Sequence, residues 1–246
     1  MALTVDEASE AYVSSMRNVP GVGQNTCATC KTFIGDGWTE CLACDKQLNS
    51  LDIVVPITYS LSMSQMHVVL RLYKESPSDR QKFAALRMAA IIWRFLREHE
   101  RCIAHAVGVD SFDVVATVPS TSQDRDEQNM LRTIVRQCGP VKDRFERLLM
   151  PSENVEESHE LLADRYVAQR DLSGENVLLI EDTWARGGHA QSAALALRQA
   201  NAETVALVVV GRYIKAEWEV DGTPSEDIFD MLPKKFDWSR CACESE

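Results

Sequence analysis

The sequence predicts an α/β fold: an open, mostly parallel sheet flanked by helices, with a small cysteine-rich module at its N-terminal end. Three observations predict it. The runs Phe112–Val118 (FDVVATV), Asn176–Ile180 and Val205–Val210 are continuously apolar and lack the alternation of a half-solvated strand, so they read as strands buried on both faces. Between the last two lies Ala190–Ala200, rich in strong helix formers, which makes a strand, helix, strand unit. Ahead of all of them, Cys27-Ala-Thr-Cys30 and Cys41-Leu-Ala-Cys44 repeat a CxxC pair.

Composition bounds the function classes. With 246 residues and 45% hydrophobic content, the chain can bury one α/β domain of ordinary size plus a satellite. A net charge of -11 argues against broad nucleic-acid binding, which depends on Lys and Arg neutralising phosphates. Ala84–Leu96, the most apolar long stretch, is interrupted by Arg87 and Arg94, so no membrane span is expected. The acidic N-terminus MALTVDEASEAY lacks the basic start and apolar core of a secretory signal, and the protein is read as cytoplasmic.

Along the chain, residues 1–24 form a short helical or frayed lead-in ending at Pro20-Gly21-Val22-Gly23, a loop signal. Residues 25–50 are the cysteine module, 51–216 the main domain, and 217–246 a tail of open order. Met66, Val69, Leu70 and Tyr73 recur at helical spacing within 63–74. A longer helix over 81–100 is expected to bury Phe83, Leu86, Ala90, Trp93 and Leu96 opposite Arg80, Arg87, Arg94 and Glu98. Residues 128–137 read as helix, 146–150 as a short strand or helix, and 153–160 as an acidic loop.

The chemistry concentrates in VLLIEDTWARGGHA, residues 177–190. There an apolar strand meets Glu181-Asp182, then a loop holding Gly187-Gly188, then a helix. Glycines let backbone N–H groups approach an anion, and the helix N-terminus adds the positive end of its dipole. Two carboxylates beside such a phosphate site can accept hydrogen bonds from vicinal hydroxyls, so phosphate and diol together describe a ribose 5-phosphate. His189 opens the helix, where it can donate to an anion. His67, His99, His105 and His159 read as packing or surface residues for want of a paired nucleophile.

This segment resembles the signature of the type I phosphoribosyltransferases. On that pattern Glu181 and Asp182 hold the ribose hydroxyls, while Thr183, Ala185, Arg186, Gly187, Gly188 and His189 surround the 5-phosphate. The chain departs from it at Ala185, Arg186 and His189, where the family carries hydroxyl side chains. The wider order is similar to competence-protein ComF-like phosphoribosyltransferases over about residues 27–214: a four-Cys module, then Tyr73-Lys74, then a strand ending at Val118-Pro119, then the acid pair. The resemblance implies that Pro119, Ser120 and Thr121 hold pyrophosphate with Mg²⁺. Lys74 and Arg125 are implied as cationic partners, and Asn129 matches a recurring Asn. It implies transfer of a phosphoribosyl group to a nitrogen acceptor with release of pyrophosphate. The alternative is a non-catalytic ribose-phosphate sensor or adaptor that contacts a protein or DNA partner through the cysteine module; a homodimer is left open.

The spacing CxxC, ten residues, CxxC suits a zinc ribbon, in which Cys27, Cys30, Cys41 and Cys44 supply four thiolates to one tetrahedral ion and Gly35 and Gly37 turn the hairpin. A redox pair and an iron–sulfur site are the other readings of such cysteines. Four ligands leave no open position, which assigns the Zn²⁺ to folding. The module carries Lys31 and Lys46 against Asp36, Glu40 and Asp45, no basic stripe for DNA. Cys102 and Cys138 read as free thiols; Cys241-Ala-Cys243 leaves metal binding open but lacks further ligands in sequence.

Overall fold

In the computed structural model, which describes residues 3–21, 25–75, 77–153 and 158–244, the apolar runs assemble as one parallel sheet. In chain order the elements are α1 (Val5–Glu10), the helical turn α2 (Leu42–Asp45), β1 (Ile53–Leu61), α3 (Gln65–Leu72), α4 (Asp79–Ala106) and β2 (Val114–Thr117). Then come α5 (Gln123–Glu127), α6 (Met130–Arg136), β3 (Leu149–Pro151), β4 (Tyr166–Ala168), β5 (Asn176–Trp184) and α7 (Gly188–Gln199). The chain continues through β6 (Thr204–Ile214), β7 (Glu219–Val220), β8 (Thr223–Pro224) and α8 (Ser225–Met231). Val22 and Gly23 of the expected loop, and residues 154–157 of the acidic stretch, lie outside the described residues.

The four main strands lie in the order β1-β6-β5-β2, every pair parallel. Their burial follows from period-two alternation. Leu178 and Ile180 of β5, with Ala206, Val208 and Val210 of β6, pack beneath α3, α4 and α6. Val177 and Leu179, with Val205, Leu207 and Val209, pack under the alanine-rich α7. Both faces are dry, which is why these strands read as unbroken apolar runs. Pro56 is accommodated because β1 is an edge strand. The β1 to β2 connection crosses the whole sheet, whereas β2, β5 and β6 step back one neighbour at a time. Helices therefore cover both faces, and the strand carboxyl ends open a crevice of the kind that holds ligands in such sheets.

Three features differ from expectation. First, α4 runs 28 residues and buries Ala84, Met88, Ile91, Ile92, Phe95, Leu96, His99 and Ile103, while Phe83 and Leu86 are 52% and 55% exposed. The longer helix is oriented by its C-terminal half, and Phe83 lies instead beneath the Arg87 guanidinium, 4.6 Å from its ring centre. Second, β5 continues past Ile180 to Trp184, because the 11-residue β6 keeps supplying ladder partners, Val209 to Glu181 and Gly211 to Thr183. Third, the described parts of the lead-in and of the tail are packed. The lead-in buries Tyr12, Met16 and Val19, and the tail buries Phe229, Phe236, Trp238 and Cys241 in the same core. No helix among the described residues is long and apolar enough to cross a membrane.

Candidate functional site

Because β5 carries Glu181 and Asp182 inside its ladder, the two adjacent side chains leave on opposite faces of the sheet. The loop that follows is shaped by two glycines. Gly187 has φ +85°, and a Cβ there would also strike the Trp184 indole. At Gly188 a Cβ would collide with the His159 carbonyl oxygen and would stand 2.6 Å from the Glu160 carbonyl carbon. No side chain of the N-cap residue closes the start of α7, so its first-turn N–H groups are those an anion would use.

On the α7 side, Glu181, Thr183, Ala185, Arg186, Gly187, Gly188 and His189 line one cavity of about 250 Å³ together with His159. The predicted loop residues are thus brought together. Burial, reinforced by the Asp182 charge and opposed by Lys74, pushes the Glu181 carboxyl up to about 8. Burial, with Arg165, His159 and Lys74 adding positive charge nearby, pushes His189 down to about 4. His189 is therefore neutral at pH 7. The Tyr166 hydroxyl donates to the Pro119 carbonyl at 3.0 Å and lies 3.2 Å from His189 Nδ1. Since its single proton is committed to Pro119, Tyr166 accepts from Nδ1–H, and His189 Nε2 carries a lone pair. Arg165, 3% exposed, donates to the carbonyls of Ser158 and Glu160 at 2.9 and 3.0 Å, which ties that segment over the start of α7. Its Nε has no partner among the described residues.

On the opposite face Asp182 accepts a short hydrogen bond from the Tyr73 hydroxyl and pairs with Lys74 Nζ at 2.7 Å. Burial, followed by the Asp182 and Glu181 charges, raises the Tyr73 phenol well above its usual range, so it remains a donor. Lys74 borders a second cavity of about 380 Å³ with Ser60, His67, Arg71 and Thr183; Thr183 touches both cavities.

Pro119, Ser120 and Thr121 follow β2. Asp126, 1% exposed, accepts from Ser120 N at 3.0 Å and is held by Arg132 at 2.5 Å and Arg147 at 2.6 Å. Asn129 donates to Ser120 Oγ at 3.3 Å. Neither cavity above is bordered by Pro119, Ser120 or Thr121; the connection to the glycine loop runs through Tyr166. Arg125 stands exposed on α5.

The sulfurs of Cys27, Cys30, Cys41 and Cys44 all lie within 4.8 Å of one another, with Cys30 and Cys41 at 3.7 Å. An edge of roughly 3.8 Å is what a tetrahedron with 2.3 Å zinc–sulfur bonds requires, so the donor set fits one such ion. The module has one antiparallel bridge, Thr26 to Phe33, and its second CxxC opens α2, so its cysteines rather than a ladder hold it. Gly37, at φ +82°, turns the chain between the two knuckles. Arg212 donates to the Cys30 carbonyl at 2.9 Å, to Cys30 Sγ at 3.3 Å and to the Trp184 carbonyl at 3.0 Å, which joins the module to the glycine loop. Hydrogen bonds from Cys27, Cys41 and Cys44, with the Arg212 charge, hold the Cys30 thiol well below its usual range.

No protein-family model matches the chain, and no curated protein matches it. Among solved structures it is similar to one described as the allosteric regulatory enzyme of purine biosynthesis, with 18% sequence identity and a TM-score of 0.29 over 48% of this chain and 26% of that one. The chain spans about a quarter of that enzyme's length. Fold and site therefore stand on strand order and side-chain geometry.

Sequence reasoning passed over Arg165, Tyr166 and Arg212. An Arg-Tyr pair opening a three-residue strand gives no pattern to find. Arg212, a charge just past the apolar run and two residues before Ile214, was a usable signal, because a buried charge needs a partner.

Proposed function

We propose that the chain binds phosphoribosyl pyrophosphate or a related ribose phosphate and transfers the phosphoribosyl group to a nitrogen acceptor with release of pyrophosphate, on a phosphoribosyltransferase-like fold. The observation that carries this reading is the cavity where the uncapped start of α7 and the Gly187-Gly188 turn meet Glu181. The 5-phosphate would take the first-turn N–H groups, with Arg165 and Arg186 supplying charge in place of hydroxyl side chains. Glu181, in that cavity, would accept from a ribose hydroxyl, while Asp182 on the opposite face of the sheet is held by Tyr73 and Lys74. The nitrogen lone pair would displace pyrophosphate at C1 through an oxocarbenium-like transition state, to which the protein contributes positioning and electrostatics.

Ser120, Thr121 and Lys74 would hold the departing pyrophosphate. Mg²⁺ belongs to the substrate in this reading, carried on phosphate oxygens, because Asp126 beside the loop is already committed to Arg132 and Arg147. Zn²⁺ at Cys27, Cys30, Cys41 and Cys44 would stabilise the module, which has little apolar core of its own.

Calorimetric titration with phosphoribosyl pyrophosphate and Mg²⁺ tests the reading. Binding is expected, with affinity reduced roughly two- to tenfold in Glu181→Ala, since a hydrogen bond between neutral groups contributes about 0.5–1.5 kcal/mol. Absence of binding by any phosphoribosyl compound would overturn it.

A second reading is binding without turnover, with the module presented to a partner protein. Trp38, Leu42 and Trp218, 73%, 68% and 57% exposed, border a cavity of about 1080 Å³ that reaches Ala185 and Arg186 of the loop. Exposed aromatics around such a cavity favour a contact surface. Release of pyrophosphate with any base or amine acceptor decides for the first reading; binding without release decides for the second.

A further inference from the structure

His99 and Cys102 sit three residues apart on α4, and therefore on one face of it. Cys241 and Cys243 arrive at that face from the tail. The sulfurs of Cys102 and Cys241 and one ring nitrogen of His99 lie within 4.8 Å of one another. Cys243 Sγ stands 3.5 Å from Cys102 Sγ and 3.1 Å from Cys241 Sγ, and Cys102 Sγ is 3.7 Å from His99 Nδ1. His99, Cys102 and Cys241 thus form one cluster, with Cys243 against both of its sulfurs, and the Cys102–Cys243 and Cys102–His99 separations are close to the roughly 3.8 Å edge of a zinc–thiolate tetrahedron.

We propose that His99, Cys102, Cys241 and Cys243 form a second zinc site, which pins the C-terminal tail to α4.

The imidazole is oriented for this role. His99 Nε2 lies 2.6 Å from the Trp238 carbonyl, an acceptor only, so Nε2 carries the proton and Nδ1 presents its lone pair to the Cys102 sulfur. A backbone carbonyl on the far ring nitrogen is the usual support of a metal-bound histidine. His99 and Cys241 are buried, 4% and 7% exposed, Cys102 and Cys243 are half-buried, and the Phe95 ring lies 4.8 Å from the imidazole. A disulfide would use two of the sulfurs and leave the third thiol and the imidazole lone pair unused, whereas one soft divalent ion satisfies all four. Three thiolates and one imidazole in a closed tetrahedron select zinc, and with no open position the ion is structural. The site explains why a tail with a short hairpin and one seven-residue helix keeps Phe236 and Trp238 in the core.

The test is the zinc content of the full chain purified under reducing conditions, together with zinc-edge X-ray absorption. Two ions per chain are expected. Cys241→Ser plus Cys243→Ser should lower the count to one, and Cys41→Ser plus Cys44→Ser should separately lower it to one, so failure of this site and failure of the N-terminal module are distinguishable. The wild-type spectrum should contain nitrogen scattering alongside sulfur, and the tail variant should be all-sulfur. One ion per chain with an all-sulfur spectrum in the wild type would overturn the proposal even if the tail variant does not fold. So would a mass 2 Da below the fully reduced value that maps to a disulfide among Cys102, Cys241 and Cys243.

Discussion

The Tyr166 hydroxyl lies 3.2 Å from His189 Nδ1 while donating to the Pro119 carbonyl at 3.0 Å, so one side chain on β4 ties the loop after β2 to the start of α7. Tyr166→Phe should leave the Pro119 carbonyl and the His189 Nδ1–H without partners and destabilise the fold by about 1–3 kcal/mol, read by urea unfolding. Nitrogen-15 NMR of the wild-type ring should show a neutral imidazole protonated at Nδ1 from pH 7 to about pH 5, because its pKa is pushed down to about 4. An imidazolium signal at pH 6 would contradict that arrangement.

Glu181 makes stability depend on pH in a stated direction. Its carboxyl is pushed up to about 8, against roughly 4.3 for an unfolded glutamate. Between those values the native state holds a proton that the unfolded chain has released, so the contribution is full below about pH 4 and is lost as pH rises through 8. His189, with its lowered value, acts in the opposite sense only below about 6.5. Urea midpoints measured from pH 6.5 to 8.5 should therefore fall in the wild type and fall less in Glu181→Gln.

Gly188→Ala should cost about 1–3 kcal/mol and weaken ribose-phosphate binding, because the new methyl meets the backbone of His159 and Glu160 rather than a movable side-chain end. Gly174→Ala is a useful contrast. That residue also has positive φ but open space around its Cβ, so backbone strain alone should appear, without a binding defect.

Arg212→Met removes the guanidinium that bonds both Cys30 Sγ and the Trp184 carbonyl. Zinc affinity of the N-terminal module should fall 10–100-fold, as for other partners that orient metal ligands, measured by competition with a chromogenic chelator. Ribose-phosphate affinity should fall in the same variant, since the contact joins module and loop. Unchanged values of both would show that Arg212 only fills space.

Much of the architecture was legible in advance for a local reason. β2, β5 and β6 are buried on both faces, so each announces itself as an unbroken apolar run, and α7 between them consists of good helix formers. The glycine turn was legible at Gly187, whose φ of +85° answers to backbone geometry at its own position, whereas the need for Gly188 comes from the distant His159 and Glu160 backbone. The orientation of α4 was not, since its tertiary neighbours left Phe83 and Leu86 exposed.

The candidate sites divide along the same line. Spacing within a few residues is enough to recognise the two CxxC knuckles and the acid pair beside its glycine turn, because the groups involved are close in the chain. The opposite faces taken by Glu181 and Asp182 follow from how far β6 extends the β5 ladder. Tyr166 bridging Pro119 and His189, Arg212 reaching Cys30 from 182 positions away, and Cys102 beside Cys243 across 141 positions all join segments that no periodicity links. Those pairs exist only because burying both faces of one parallel sheet brings β4, α4, the module and the tail into contact, and local sequence preference carries no information about that packing.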